Sequence, residues 1–169
     1  RGSQGISDAD VSAIQNPFLA PDVMAVAPVL SRSGVLSYGR EETESSVQGI
    51  TPTYEFVRNT RVVEGRFISE DDYLAESRVV ILGDTVIESL FQASENPIGE
   101  TIRINDIPFR VIGILQERGG GAFGDEDDIA LIPLTIAQHR MFESRNRRGK
   151  YLVDVVFAQA VSERRLNDA

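Results

Sequence analysis

The segment Glu100–Leu115, ETIRINDIPFRVIGIL, carries the clearest strand pattern in the chain. Isoleucines near its start alternate with Thr101 and Arg103, which is typical of a strand with one buried face. Asn105–Asp106 stands where a two-residue hairpin turn belongs, although Asp tolerates a positive φ less well than Gly does. The segment therefore predicts a β-hairpin.

A buried strand and a helix are predicted before this hairpin. Ser77–Gly83, SRVVILG, is a short apolar run, as in a strand buried on both faces. Asp84 can cap a helix that follows it, and Asn96–Gly99 breaks that helix. The apolar stripe of this helix consists of Val86, Ile87, Leu90 and Phe91.

A glycine-rich loop follows the hairpin. Gly119–Gly124 leads into four consecutive acids, Asp125–Asp128, and then into a short strand at Ile129–Ile132. Thr135 has the spacing of a capping box, so a helix is predicted from there to about Glu143.

The N-terminal part of the chain reads as one helix and a β-meander. Ser7 is predicted to cap a helix that ends at Pro17. The stretch 22–39 is interpreted as two strands separated by a turn at Ser33–Gly34. Glu44–Ile50 supplies a third strand of the meander.

Further elements follow on each side of the middle region. Pro52 favours a short helix, Gly65 marks a turn, and Ser69 begins a second capping pattern. Tyr151–Phe157 predicts a final strand, after which Ser162 starts a last helix.

The elements together predict an α+β fold that is mostly strand. They form two groups, residues 1–66 with 146–169, and residues 67–145. The closing strand needs a partner sheet, and the early strands otherwise lack one. The simplest prediction is therefore a discontinuous first domain with a second domain inserted into it.

Composition excludes several classes of function. A net charge of -9 opposes binding to phosphate backbones, so we expect no nucleic acid partner. The lack of cysteine excludes disulfides, thiolate metal sites and cysteine nucleophiles. No apolar run approaches the ~20 residues that a membrane helix needs. The chain is predicted to be soluble, and its polar start, RGSQG, resembles a loop end or a cloning scar.

The acidic run and the glycine loop are two candidate ligand sites. Calcium loops of the EF-hand type alternate their ligands and close with a Glu, whereas Asp125–Asp128 is contiguous, so only weak calcium binding is conceivable there. A phosphate cradle needs a helix after the glycines, but Gly119–Gly124 leads to acids and a strand. A solvated loop is the favoured interpretation.

Catalysis is not indicated either. His139 is the only histidine, and it falls on a predicted helix with no GxSxG motif elsewhere, so we expect a partly exposed surface residue. A two-carboxylate hydrolase remains an alternative, although such clefts are usually lined with aromatic residues and the chain has no Trp. We therefore assign no catalytic, cofactor-binding or metal-binding residue and expect no cofactor.

An ordered series of segments resembles the extracytoplasmic core domain of MacB-like ABC-transporter permeases. The series covers roughly Ser7 to Asp168, and its most specific parts are NPIGETIRINDIPFRVIGIL and IPLTIAQ. The other segments are DVSAI, VMAVAPVLS, GITPTYEFVRN, EGRFISEDD, SRVVILGDTVIESLF, FGDEDDIALIPLTIAQHRMF and VDVVF.

The resemblance implies a particular division of the chain. Residues 1–66 and 146–169 would form a split porter-like subdomain of βαβ type, and residues 67–145 an inserted, mixed α/β sabre-like subdomain. The family also has a strand before its first helix, and none is evident in this sequence before Ser7. Membrane helices would flank the domain on both sides in a full permease.

The resemblance also implies a function. The domain would lie outside the cytoplasm, transmit ATP-driven motion of the membrane helices, and contact an adaptor or cargo during export. Its expected partners are the membrane helices of the same permease, a cytoplasmic ATP-binding subunit or domain, a periplasmic adaptor (membrane fusion) protein, and a second permease copy. The alternative from another class is a free-standing extracellular module that binds a ligand between its subdomains.

Two polar loops of opposite charge are the predicted partner contacts, because each could steer a partner electrostatically. The residues are Gly119, Gly120, Phe123, Asp125 and Asp127 in the first loop, and Arg147 and Arg148 in the second.

Overall fold

The computed structural model of the chain describes residues 6–7, 23–118, 120–121, 124–142 and 152–160. Within them the strands are β1 (Ile6–Ser7), β2 (Val23–Tyr38), β3 (Glu41–Ile50), β4 (Val62–Gly65), β5 (Val79–Leu82), β6 (Thr101–Ile104), β7 (Ile107–Leu115), β8 (Gly120–Gly121), β9 (Gly124–Asp125), β10 (Ile129–Pro133), β11 (Leu152–Val153) and β12 (Val155–Ala160). The helices are α1 (Tyr54–Val57), α2 (Glu70–Ala75), α3 (Asp84–Leu90), α4 (Leu134–Ile136) and a π-helical turn (Ala137–Met141).

Six of the strands close into a ring. The main sheet runs in the order β12-β2-β3-β10-β5-β7-β4, and β6 pairs with both β2 and β7. The path β2–β3–β10–β5–β7–β6 therefore returns to β2. Pairing is parallel between β3 and β10 and between β5 and β7, and antiparallel elsewhere in the ring. The predicted α+β class, mostly strand, is confirmed.

The ring takes strands from both predicted subdomains. β2 and β3 belong to residues 1–66, whereas the other four ring strands belong to residues 67–145. The edge strand β4 likewise pairs with β7 across the predicted boundary. The division into porter-like and sabre-like parts stays a prediction.

The strand β2 corrects one prediction. Ser33–Gly34 does not form a turn, because β2 continues through it and pairs with β3 up to Tyr38. A Cβ on Gly34 would lie 2.7 Å from a methyl carbon of Val47, so this glycine serves close packing. The chain reverses instead at Gly39, where φ is +60°.

The hairpin of β6 and β7 confirms the Asn105–Asp106 turn. Both residues have positive φ, 50° and 70°, as a two-residue turn that matches strand twist requires. Asn105 also ties the turn to β2: its backbone N–H donates to the Val35 carbonyl at 2.8 Å, and its side-chain oxygen accepts from the Val35 N–H at 2.9 Å. This anchor helps β6 to close the ring.

Helix starts were predicted with mixed success. Ser69 forms the predicted capping box with Asp72. The cap at Asp84 is wrong by one residue, because Gly83 is the N-cap and Asp84 is already helical. The cap at Thr135 is also wrong: its hydroxyl donates to the Tyr73 carbonyl, and the helix begins after Pro133.

The chain ends are partly described. A short strand does exist before the predicted first helix, since β1 pairs with β11, which corrects the expectation from the sequence. The predicted final strand is interrupted at Asp154, whose carboxylate accepts hydrogen bonds from the Ser31 N–H and from Arg32. The helices predicted after Ser7 and Ser162 lie outside the described residues.

Apolar side chains form two clusters, one on each side of the ring wall. The inner cluster receives residues from all six ring strands, and α3 packs Val86 and Leu90 into it. The alternation along β5 shows the two sides, because Val80 and Leu82 belong to the inner cluster and Val79 and Ile81 to the outer one. The outer cluster also contains Tyr54 of α1.

A candidate ligand groove beside the acidic residues

A groove of about 310 Å³ lies on the outer side of the ring wall. Three parts of the chain form its rims: the loop 58–61 after α1, the end of β7 with residues up to Arg118, and Glu126–Asp128, which we call the acidic loop. The apolar part of its lining is Val29, Tyr54, Leu115, Ile129 and Leu131. The groove therefore combines an apolar floor with charged rims.

Two of the acidic side chains have structural partners. Asp127 is buried, and its carboxylate accepts a hydrogen bond from the Arg118 backbone N–H at 2.7 Å. Asp128 accepts one from the Ser45 hydroxyl on β3. Glu126 is the exposed member, and it lies 3.9 Å from the Arg118 guanidinium. The acidic run thus fastens a loop to its surroundings.

Gly83 lets the acidic loop pack closely on the start of α3. A Cβ at this position would overlap the carbonyl oxygen of Asp127. That same carbonyl accepts a hydrogen bond from the Thr85 N–H at 3.2 Å, and the Gly83 N–H donates to the Ile129 carbonyl at 2.9 Å. The position of the loop therefore depends on the absence of a side chain at residue 83.

Arg118 joins two rims of the groove. Its backbone meets Asp127, while its guanidinium donates to the carbonyls of Arg58 at 3.4 Å and Asn59 at 3.1 Å. Asn59 has φ of 50°, which turns the loop 58–61 back toward β4. A single residue thus contacts the loop 58–61 with its side chain and the acidic loop with its backbone.

The rim formed by Thr60, Arg61 and Gln116, which we call the donor rim, has a different character. The Gln116 N–H donates to the Arg61 carbonyl at 2.8 Å, so these residues are neighbours across the β4–β7 pairing. Within the part of the chain that the structure describes, no ion pair or hydrogen bond engages their side chains. All three residues belong to the lining of the groove. The donor rim therefore presents polar groups that remain available to a ligand.

The described residues hold no set of three or more His, Asp or Glu side chains arranged to bind a metal ion. In the acidic loop, Asp127 and Asp128 direct their oxygens to Arg118 and Ser45, so these carboxylates already accept hydrogen bonds from the chain itself.

The predicted contact residues are distributed unevenly. Asp127 reaches the groove but is buried, and Gly120 pairs with Asp125 in the small β8–β9 hairpin. The other predicted contacts, Gly119, Phe123, Arg147 and Arg148, lie outside the described residues. Their role in partner contact stays a prediction.

Sequence reasoning missed the arginines at the groove. Arg58 and Arg61 follow α1, and Arg118 follows β7, far away in the sequence. The sequence did show that each arginine follows the end of a predicted helix or strand. Only the β4–β7 pairing brings these ends together.

His139 lies at the surface, as predicted. Its Nδ1 is 2.9 Å from a Glu76 carboxylate oxygen, and about a third of its side chain is exposed. Arg140 approaches the other oxygen of Glu76 at 3.8 Å. The cluster links the end of α2 to the π-helical turn.

Comparisons with known proteins define the class and then the family. The chain is 38% identical over 151 residues to the macrolide export ATP-binding/permease protein MacB of Bdellovibrio bacteriovorus, covering 89% of this chain and 22% of that protein. It is 30% identical over 160 residues to the pyoverdine export ATP-binding/permease protein PvdT of Pseudomonas entomophila, covering 94% and 23%. The chain thus spans about a fifth to a quarter of the length of these two relatives.

Solved structures share the fold. The extracellular domain of the noncanonic ABC-type transporter YknZ from Gram-positive bacteria superposes with a TM-score of 0.77 at 21% identity, covering 98% of this chain and 78% of that one. The periplasmic region of MacB from Actinobacillus actinomycetemcomitans gives 0.75 at 23% identity, with coverage of 98% and 72%. Among the described residues, no helix has the length and hydropathy of a membrane span.

These findings define an extracytoplasmic domain of an ABC-transporter permease. The family model of the MacB-like periplasmic core domain matches residues 1–169, and the chain belongs to that family.

Proposed function

We propose that this domain transmits ATP-driven motion of membrane helices to the outside of the cell membrane and contacts an adaptor or cargo during export. The observation that carries the proposal is family membership over residues 1–169. ATP is hydrolysed on a separate domain or subunit. The names of the relatives, which combine ATP-binding and permease parts, support this division of labour.

The closed ring supports a role in transmission. A part that passes on motion must move as a packed body, with the change concentrated at a few joints. Six strands paired in a circuit around one apolar cluster resist internal deformation, because no ring strand can shift without breaking two ladders. In the full protein, two permease copies would each carry one such body.

The contact with an adaptor or cargo is proposed to involve the glycine-acid loop and the basic loop with Arg147 and Arg148. Glu126 supports this as an exposed charge on the acidic loop.

A single-cysteine experiment tests the transmission. The chain contains no cysteine, so one introduced thiol on this domain can be spin-labelled selectively in a parent permease whose other parts are cysteine-free. Leu74 is a suitable position because it is 68% exposed. The distance between labels on two permease copies should change when ATP is bound, and a catalytically inactive ATP-binding part should keep the ATP-bound distance.

Deletion of the domain is the second experiment that tests the proposed transmission. The shortened permease should retain ATP hydrolysis and lose export. Undiminished export, or a label distance that ignores ATP, would contradict the proposal.

A further inference from the structure

The groove has an apolar floor and a donor rim without described partners, which is the pattern of a small-ligand site. Its volume of about 310 Å³ is at the lower end of the range of roughly 300–1,000 Å³ for such pockets. The occupant must therefore be small, or be the end of a larger molecule.

The Arg61 cation at the groove favours a negatively charged ligand. Arg61 on the donor rim is a cation with no ion-pair partner among the described residues, and Thr60 and Gln116 beside it can donate further hydrogen bonds. Glu126 and the other two carboxylates of the acidic loop repel any anion in the groove, and they repel a group with two negative charges more strongly than a group with one. A carboxylate, with one charge and a planar pair of oxygens that suits a guanidinium, fits better than a phosphate.

The floor selects what is attached to the carboxylate. Ile129 is the partly exposed part of this apolar surface, and Tyr54 and Leu115 keep only 6% and 8% exposure beside it. An apolar side chain next to the carboxylate would remove this surface from water.

The walls favour a peptide over a plain fatty or aromatic acid. The lining also contains the amide residues Gln48 and Gln116 and the hydroxyl residue Ser46. The Gln48 oxygen accepts a hydrogen bond from the Tyr54 hydroxyl at 3.4 Å, which leaves its NH₂ group to donate. Such groups match the N–H and C=O groups of a peptide backbone. We propose that the groove binds the C-terminal end of a peptide, with the terminal carboxylate on the donor rim and an apolar last side chain on the floor. The inference concerns the isolated domain and does not rest on the proposed role in transmission.

Short acetylated peptides test the proposal on the purified 169-residue chain. The probes are Ac-Gly-Gly-Leu with a free carboxylate, its C-terminal amide, and Ac-Gly-Gly-Gly with a free carboxylate. Calorimetry gives the affinities, and NMR follows the backbone amides of Thr60, Arg61 and Gln116. We expect the free-acid leucine peptide to bind and shift these amides, and the C-terminal amide to bind about tenfold more weakly or worse, since charge-assisted hydrogen bonds are lost.

Variants locate the site. Arg61→Gln should weaken the leucine peptide by a similar factor of about ten. Arg40→Gln removes the same charge at the exposed turn after β2, away from the groove, and should leave the affinity unchanged. The triglycine peptide should bind more weakly than the leucine peptide because it leaves the floor uncovered.

Several results would overturn the inference. Equal affinity for the acid and the amide would remove the carboxylate from the proposal. Equal weakening by both arginine variants would reduce the effect to overall charge. N-acetyl-leucine binding as tightly as the tripeptide would point to a free small acid instead of a peptide end.

Discussion

The inner and outer sides of the six-stranded ring have different roles. Inside, large side chains such as Phe109, Leu82 and Ile132 pack against one another with almost no exposure. Outside, the clustered side chains are buried as well, but Ile129, which packs against them, stays partly exposed in the groove. The difference shows which surface carries stability and which can accept a ligand.

The strongest test compares two adjacent residues that face opposite sides. Ile132→Ala leaves a cavity sealed within the ring and should lower the free energy of unfolding by about 4 kcal/mol. Leu131→Ala enlarges a groove that water can enter, so we expect a loss of about 2–3 kcal/mol. Urea unfolding followed by circular dichroism measures both. Equal losses would mean that the two sides are equally closed.

The second test concerns the close approach at Gly83. Gly83→Ala should cost about 2–3 kcal/mol, because the added methyl must push back the Asp127 backbone. The NMR signals of the acidic loop should shift with it. Gly39→Ala is the control: the position has positive φ and open space, so only backbone strain of about 1 kcal/mol is expected. A smaller effect at Gly83 than at Gly39 would contradict the proposed packing.

The third test uses pH on the polar contacts at the start of α2. Burial opposes ionisation of Asp72, but hydrogen bonds from Arg66 and Ser69 outweigh it and lower the pKa of this carboxyl. A lowered folded-state pKa adds stability above the unfolded value of about 4, and that stability is lost as the pH falls through the folded-state pKa.

Asp72→Asn should therefore cost about 1 kcal/mol at pH 7, and the difference from the unaltered chain should shrink as the pH falls below 4. Asp71→Asn, on the exposed side of the same helix, should change stability by only a few tenths of a kcal/mol, approximately the strength of a helix-dipole effect. Unfolding curves at several pH values measure the free energy of unfolding of both variants and of the unaltered chain. A pH-independent difference for Asp72 would refute ionisation of its carboxyl as the cause of the added stability.

The smallest expected effect is at Arg118. Arg118→Gln removes exposed contacts to the loop 58–61, so global stability should fall by about 0.5 kcal/mol or less. Amide hydrogen exchange in residues 58–61 should nevertheless become faster, because this loop loses the guanidinium, whereas residues 126–128 keep the bond from the Arg118 backbone N–H to Asp127.

Arg103→Gln is the control for Arg118. Its guanidinium also donates to a backbone carbonyl, that of Asp106 at 3.1 Å, but within its own hairpin. Unchanged exchange in residues 58–61 of the Arg118 variant would show that the guanidinium contacts are dispensable.

Local structure was accessible from the sequence where one short segment determines it. The Asn105–Asp106 turn, the Ser69 capping box and the buried strand β5 follow from neighbouring residues alone. The turn assigned to Ser33–Gly34 was wrong because glycine has two uses, and in β2 the deciding atom is a methyl of Val47 on the next strand.

Closure of the ring and the groove could not be predicted in the same way. The pairing of β6 with β2 joins residues about seventy positions apart, such as Leu36 and Ile104, and no local pattern encodes it. The donor rim likewise depends on Arg61 and Gln116 meeting across the β4–β7 pairing. The acidic run was visible in the sequence, but not that Asp127 would be buried.

The strand β2 has one more consequence. Its sixteen residues extend over about 50 Å, and they are bonded to β12 near one end and to β3 and β6 toward the other. The hydrogen bonds of these antiparallel ladders run across the strand. A pull along its axis would load many of them at once in shear, whereas a pull across it would unzip them one by one. Single-molecule stretching should therefore need a high unfolding force along the strand axis and a low one across it.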